Sequence, residues 1–170
     1  MLITKRTKTR DVLPFVTDKE VMDRILDAVE EVPLDKSLIE MTIAEFAETM
    51  EEGYMASLLN EKYAWKAFGK IKSFKRQTEE IGKFLKMNEL KPSKDQESAA
   101  IGVVFPSFEE QMLLTVCEYF HLRSFDEAEN VKMSNYMLIQ QKQSADAKFQ
   151  HQYNKIIELR SKAKNGKRGR

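Results

Sequence analysis

Apolar residues recur at helical spacing along most of this sequence. A helix returns to the same face every three or four residues, so apolar side chains at that spacing predict an amphipathic helix. This spacing occurs at residues 18–31, 43–50, 54–90, 108–120, 125–131 and 134–162. Ile101–Phe105 could form a short strand, but nothing nearby would pair with it. The sequence therefore predicts an all-α fold, an irregular helical bundle with a long C-terminal helix.

Helix start signals agree with the periodicity. In a capping box, a Ser or Thr and a Glu or Gln three residues later satisfy each other's free backbone N–H groups. The pattern occurs at Thr17/Glu20, Ser37/Glu40, Thr42/Glu45, Ser93/Gln96, Ser107/Glu110 and Ser124/Glu127. The chain has only 6 glycines and 4 prolines. These are too few for the many tight turns of a sandwich or barrel.

The length of 170 residues fits one domain or two small ones. The best boundary candidate is Asn88–Lys94, which combines polar residues with a proline and a new helix start. It predicts a basic N-terminal arm at 1–17, helical subdomains at 18–90 and 91–160, and a disordered basic tail at 161–170. A single bundle with a loop at the same place remains the alternative.

The formal net charge of +1 hides a sorted distribution. Segment by segment, the net charge is +3 over 1–17, −9 over 18–52, +5 over 53–91, −5 over 92–133 and +7 over 134–170. A uniformly basic nucleic-acid binder is excluded by this pattern. Opposite blocks can pair within the molecule or between copies. The acidic block 18–52 is either a solvated face or a docking face for a basic partner.

Residues that would support catalysis or metal binding are scarce. The two histidines, His121 and His151, are far apart and have no cysteine at ligand spacing. Ser124 lies near His121 and Asp126, but all three crowd one helix junction, and capping explains Ser124 better. Neither common glycine-rich phosphate loop is present. We therefore expect no enzyme activity, no cofactor and no metal.

The most basic internal segment, residues 62–76, contains no acidic residue and interleaves its bases with aromatic side chains. Bases bind phosphates by counterion release, and aromatics can stack on nucleotide bases. An amphipathic core helix with a lysine-rich outer face explains the same pattern and is preferred, because the aromatics keep helical spacing. Candidate contacts to a partner or to nucleic acid here are Lys62, Lys66, Lys70, Lys72, Lys75 and Arg76.

The C-terminal helix carries a second pattern. Its apolar residues follow a weak heptad, which is typical of a helix that packs against a partner or another copy. The positions are Leu138, Ala145, Phe149, Ile156 and Leu159. The basic end of the chain adds further candidates for binding a partner or nucleic acid, namely Arg160, Lys162, Lys164, Lys167, Arg168 and Arg170.

From Phe105 to Leu159 the sequence comprises an apolar helix (EEQMLLTVCEYFHL), a short turn (RSFDEAENVKM) and a long helix that begins SNYMLIQQKQ. This order of elements resembles that of small helical proteins of tailed-bacteriophage morphogenesis, tail-assembly chaperones among them. The resemblance covers about a third of the chain and implies an accessory or structural role in virion assembly. It implies protein partners and carries over no catalytic residue.

The leading hypothesis is a non-enzymatic protein–protein interaction protein of virion assembly, whose partners are virion components or copies of itself. The alternative is a nucleic-acid-binding protein that uses the basic segment 62–76 and the basic tail. The longest apolar run, Ala99–Phe105, is far too short to span a bilayer, so no membrane is expected. A single cysteine predicts a reducing compartment, here the host cytoplasm, with incorporation into a virion as a further expectation.

Overall fold

The structure is a computed structural model that describes residues 3–16, 18–50, 52–89, 99–100 and 103–168. The all-α prediction is confirmed, because these residues form eight α-helices and no strand. Short 3-10 turns occupy Leu13–Phe15 and Leu38–Glu40. The helices are α1 (Thr9–Val12), α2 (Lys19–Ala28), α3 (Ile43–Met50), α4 (Glu52–Leu58), α5 (Ala64–Asn88), α6 (Phe108–Phe120), α7 (Phe125–Glu129) and α8 (Met133–Arg168).

The hydrophobic core is built around α5. Phe68 and Ile71 on this helix are fully buried and belong to one cluster with side chains from the other elements. Met112 of α6 and Met133 of α8 are in the same cluster. The core therefore draws on residues from both sides of the predicted boundary at 88–94, of which residues 90–94 lie outside the described part.

Two of the predicted capping boxes are present in full. At α3, Thr42 and Glu45 each accept a hydrogen bond from the other's backbone N–H. At α6, Ser107 and Glu110 do the same. Each exchange satisfies two of the N–H groups that a helix start leaves free.

The other predicted boxes differ in detail. The N-cap of α2 is Asp18, whose carboxylate accepts from the N–H of Glu20; Thr17 of the predicted box lies outside the described residues. Ser124 caps α7 on one side only, because the carboxylate of Glu127 accepts from the N–H of Arg123. The pair Ser93/Gln96 lies outside the described residues.

The Ser37/Glu40 box is also absent. The hydroxyl of Ser37 donates instead to Oε1 of Gln77 on α5. This oxygen also accepts from the backbone N–H of Leu38. A side chain from a distant helix therefore engages the Ser37 hydroxyl that the local pattern assigned to a capping box.

A close approach fixes the loop after α2 against α5. The N–H of Val32 donates to the carbonyl oxygen of Gly69 at 3.1 Å. A Cβ at position 69 would lie 2.5 Å from Cγ2 of Val32 and 2.7 Å from the carbonyl oxygen of Glu30. Gly82, on the same helix, has open space at that position. Neither glycine breaks α5, but Gly69 is required for the contact.

Two isolated antiparallel bridges join distant parts of the chain. Lys8 pairs with Tyr63, which ties the segment predicted as an N-terminal arm to the start of α5. Thr42 pairs with Lys132, so the starts of α3 and α8 are held together by backbone hydrogen bonds. The root of α8 is therefore fixed to the body of the molecule.

The last helix, α8, has 36 residues and a length of about 54 Å. It ends at Arg168, whereas the sequence predicts an end near Lys162 followed by a disordered tail. Lysine, arginine and alanine are strong helix formers, and the i,i+4 ion pair of Glu158 with Lys162 supports this stretch. The positive charges also suit the C-terminal end of the helix dipole.

Candidate interaction surfaces

The basic segment 62–76 lies largely on α5, and its apolar side chains enter the core. Phe68 and Ile71 are fully buried, and the ring of Phe74 packs against that of Tyr54 with centroids 5.2 Å apart. Phe68 and Phe74 therefore pack inside the protein. Tyr63 and Trp65 are half-buried, so none of the four aromatics of the segment is an exposed stacking surface. Lys62 precedes the helix, whose N-cap is Tyr63.

Lys70 is the most deeply placed of the bases. Its side chain is 6% exposed, and Nζ lies 2.8 Å from a carboxylate oxygen of Asp35 and 2.8 Å from one of Glu61. The hydrogen bonds that Lys70 donates to Asp35 and Glu61 raise the pKa of Lys70, in that order of effect. The hydrogen bond accepted from Lys70 in turn lowers the pKa of each carboxyl group. Lys70 is therefore a structural cation with two anionic partners.

Three further bases of the segment 62–76 also have partners within the chain. Lys66 lies 3.2 Å from Glu61, and Lys75 lies 3.7 Å from Asp23. Lys72 donates to the carbonyl oxygen of Val29 at the end of α2, where a cation suits the negative end of the helix dipole. This part of the α5 surface is therefore largely neutralised within the chain, whereas Lys83 and Lys86 further along α5 are exposed.

Arg76 completes this pairing. Its guanidinium lies 2.9 Å from Glu31 and 2.8 Å from Glu80. The hydrogen bond from Arg76 lowers the pKa of Glu31, and the hydrogen bonds to Glu31 and Glu80 raise the pKa of Arg76. Of the six candidates in 62–76, Lys62 is the exposed side chain that reaches only an aromatic ring, with Nζ 5.3 Å from the ring centre of Tyr63.

The first part of α8 is packed into the molecule. Met133, Tyr136 and Ile139 are buried in the core, and Tyr136 meets the ring of Phe108 edge-on at 6.5 Å. Burial raises the pKa of the Tyr136 hydroxyl. Ser144 is the last fully buried side chain of this helix among the described ones.

From residue 148 to 162 every side chain of α8 is exposed. At about 100° per residue, five large apolar side chains of this stretch gather on one side, which we call the free face. Phe149 is 67% exposed and stacks on Tyr153 with ring centres 6.2 Å apart. The free face consists of Phe149, Tyr153, Ile156, Ile157 and Leu159.

The free face continues the predicted heptad on the side of α8 turned away from the core. Leu138 and Ala145 are exposed and line up with Phe149, while Met133 and Tyr136 point to the opposite side. All five heptad positions are therefore surface residues. Sequence reasoning missed Tyr153 and Ile157, although both lie at helical spacing from Phe149 and could have been found from that spacing.

The basic residues beyond Leu159 fall on the same helix. Arg160 and Lys162 are exposed, and Nζ of Lys162 lies 2.9 Å from the carboxylate of Glu158. The helical backbone includes Lys164, Lys167 and Arg168, whose side chains lie outside the described part. Arg170 lies wholly outside it.

No group of three or more His, Cys, Asp and Glu side chains in the described part is arranged to hold a metal ion. None of the described helices is both long enough and apolar enough to cross a bilayer. Cys117 is half-buried, and its thiol faces the carbonyl oxygen of Ser124 at 3.4 Å. The arrangement of the described residues is that of an all-α protein whose last helix carries an exposed apolar face.

Comparison with known proteins adds no relative. No protein-family model matches the chain, and neither a curated protein nor a solved structure is significantly similar to it. The resemblance to tail-assembly chaperones therefore stays a prediction from the order of elements.

Proposed function

We propose that this chain is a non-enzymatic interaction protein that binds another protein through the free face of α8, and that it serves virion assembly in a phage or similar mobile element. The observation that supports binding is the free face itself. Five large apolar side chains lie together on a helix that has left the core. Contiguous apolar patches are uncommon on the surface of a protein without partners and mark interaction sites.

The start of α8 is fixed to the body of the molecule, which favours binding through the free face. The bridge between Thr42 and Lys132 and the burial of Met133 fix the direction in which α8 leaves the body. A helix presented rigidly loses less conformational entropy on binding than a disordered segment would. The virion setting rests on the resemblance of residues 105–159 and on the absence of any recognisable catalytic motif in the sequence.

The experiment is genetic complementation in the organism that encodes the chain. We expect deletion of the chain to reduce the yield of intact particles, counted by electron microscopy. Wild type should restore the yield, whereas the double variant Phe149→Asp/Ile156→Asp should not. The matched control His151→Asp/Asn154→Asp adds the same two charges on the opposite side of α8 and should restore it.

Normal particle yield without the chain would contradict the virion setting. Full rescue by the Phe149→Asp/Ile156→Asp variant would contradict the assignment of the free face. Both variants alter exposed residues of α8, so their thermal unfolding should match that of wild type, and circular dichroism checks this before the assay.

The second candidate function is nucleic-acid binding. It is favoured by the bases of α8, since Lys148, Lys155 and Arg160 are exposed and further bases follow to residue 168. The basic segment of α5 does not favour nucleic-acid binding, because four of its bases already pair with carboxylates, namely Lys66, Lys70, Lys75 and Arg76. Binding in a mobility-shift titration at low salt should weaken steeply with salt, and removal of residues 161–170 should flatten that slope. Absence of binding at low salt would exclude this function.

A further inference from the structure

A row of lysines follows one edge of the free face. Lys148, Lys155 and Lys162 are seven residues apart, so at about 100° per residue they line up along α8, next to Leu159. Between residues 148 and 162 the opposite edge, beside Ile157, carries no charged residue, and Arg160 falls within the face near Tyr153. That opposite edge carries Gln150, which donates to Asn154 at 3.0 Å. An apolar strip with cations along one side is thus presented on a helix that projects from the body.

The charges of the body do not neutralise this row. Within the described residues, the ion pairs of α8 are Lys142 with Asp146 at 3.1 Å and Lys162 with Glu158 at 2.9 Å. Neither involves Lys148 or Lys155, and both of these are exposed. This contrasts with α5, where carboxylates pair with Lys66, Lys70, Lys75 and Arg76.

A second copy of α8 fits this surface poorly. In an antiparallel pair of such helices the lysine rows would face each other, with Lys155 against its own copy. In a parallel pair Lys155 would face Arg160 of the other helix. Two polar positions, Lys142 and Gln152, interrupt the heptad as well. Like charges placed opposite each other oppose association.

We propose that the occupant of the free face is an acidic amphipathic helix of another protein. Its apolar side would cover Phe149, Tyr153 and Ile156, and its carboxylates would lie along the row of Lys148, Lys155 and Lys162. Apolar contact supplies most of the affinity in such a pairing, and the charges fix register and choice of partner. This inference rests on the proposed function, since it names the class of partner for the same face.

The test uses the full chain and two synthetic helical peptides of equal length. Both peptides carry leucine along one face. One has glutamate on both flanks of that face, and its twin has lysine there. Fluorescence anisotropy should show the acidic peptide binding about tenfold or more tightly than the basic twin at low salt, with the difference shrinking in high salt.

Charge reversal on the protein gives the sharper comparison. The variant Lys148→Glu/Lys155→Glu should lose the preference or invert it. The control Lys83→Glu/Lys86→Glu makes the same charge change at exposed positions of α5 and should keep the preference. Both variants should unfold at the same temperature as wild type, because none of the four lysines is buried.

Several results would overturn the proposal. In the peptide assay they are equal affinity for the two peptides, binding of neither peptide, or loss of the preference in the α5 control. Displacement of the acidic peptide by a single-stranded oligonucleotide would point to nucleic acid instead. A dimer in sedimentation that Phe149→Asp dissociates would point to a second copy of the chain. If particle assembly still requires Phe149 and Ile156 after such a result, the proposed function stands and only the acidic partner is wrong. If the acidic peptide is preferred but particle yield does not depend on the free face, the peptide result stands and the virion setting is wrong.

Discussion

Helices α5 and α8 are built from similar sequence patterns but have opposite roles in the molecule. Both are long, both carry several lysines, and both place aromatic residues at helical spacing. On α5 the aromatic side is buried and most bases are paired with carboxylates. On α8 beyond residue 147 the apolar side and most bases are exposed. The difference teaches that the pattern alone does not decide whether such a helix is core or interface.

What decides it is the presence of complementary elements elsewhere in the chain. The acidic block 18–52 lies against α5 and supplies Asp23, Glu31 and Asp35. Gly69 lets the loop at Val32 approach closely. Nothing comparable in the described part of the chain reaches α8 beyond residue 147.

The largest expected effect comes from matched truncations of the two aromatic sides. Phe68→Ala should lower the free energy of unfolding by about 3–5 kcal/mol, because it leaves a cavity at a fully buried site. Phe149→Ala should change it by no more than about 0.5 kcal/mol, as expected of an exposed position. Urea unfolding followed by circular dichroism measures both. A large loss from Phe149→Ala would mean that the free face is covered within the chain or by another copy.

The two glycines of α5 give an opposed pair of changes. Gly69→Ala should destabilise the protein by about 1–3 kcal/mol, because its Cβ would overlap Val32 and Glu30. Gly82→Ala should stabilise it by about 0.5–1 kcal/mol, since open space surrounds that Cβ and alanine is the better helix former. Equal effects at the two sites would contradict the close contact between α5 and the loop after α2.

Acid should weaken the pairing on α5. The pKa values of Glu31, Asp35 and Glu61 are lowered in the folded protein by hydrogen bonds from Arg76 or Lys70. Their stabilising contribution is therefore complete above the ordinary values of 4.5 for glutamate and 3.8 for aspartate. It is lost as the pH falls through the lower, folded-state values.

The free energy of unfolding, measured in urea at a series of pH values, should fall below about pH 4.5. Glu61→Gln should cost about 1 kcal/mol at neutral pH and should make the acid loss shallower. The exposed control Glu48→Gln should leave the curve unchanged. An acid profile that is identical for Glu61→Gln and wild type would show that the contact with Lys70 contributes no stability.

The sequence predicts the helices well because their signals are local. The capping boxes at Thr42/Glu45 and Ser107/Glu110 and the apolar spacing along α5 depend only on nearby residues. Predictions fail where a distant residue intervenes. The hydroxyl of Ser37 donates to Gln77 of α5, and the predicted Ser37/Glu40 box is absent.

For the same reason, the candidate interaction surface could be predicted from the sequence only in part. The heptad of α8 could be predicted because its spacing is local. Tyr153 and Ile157 could have been added to the same face, because they lie four and eight residues after Phe149. The pairing of Lys70 with Asp35 and Glu61 could not be read, because these residues are brought together only by the fold. The sequence shows that charged residues are sorted into acidic and basic blocks, but it does not show which blocks contact each other.

Hydrogen–deuterium exchange along the full chain tests the contrast between α5 and α8 most directly. Amides of α5 from about residue 68 to 84 should be protected to nearly the free energy of global unfolding, because the helix is held in the core. Amides of residues 148–162 should exchange orders of magnitude faster, since no packing holds that part of α8 closed. Equal protection of the two segments would contradict the assignment of the free face as an exposed surface that nothing else in the described part of the chain covers.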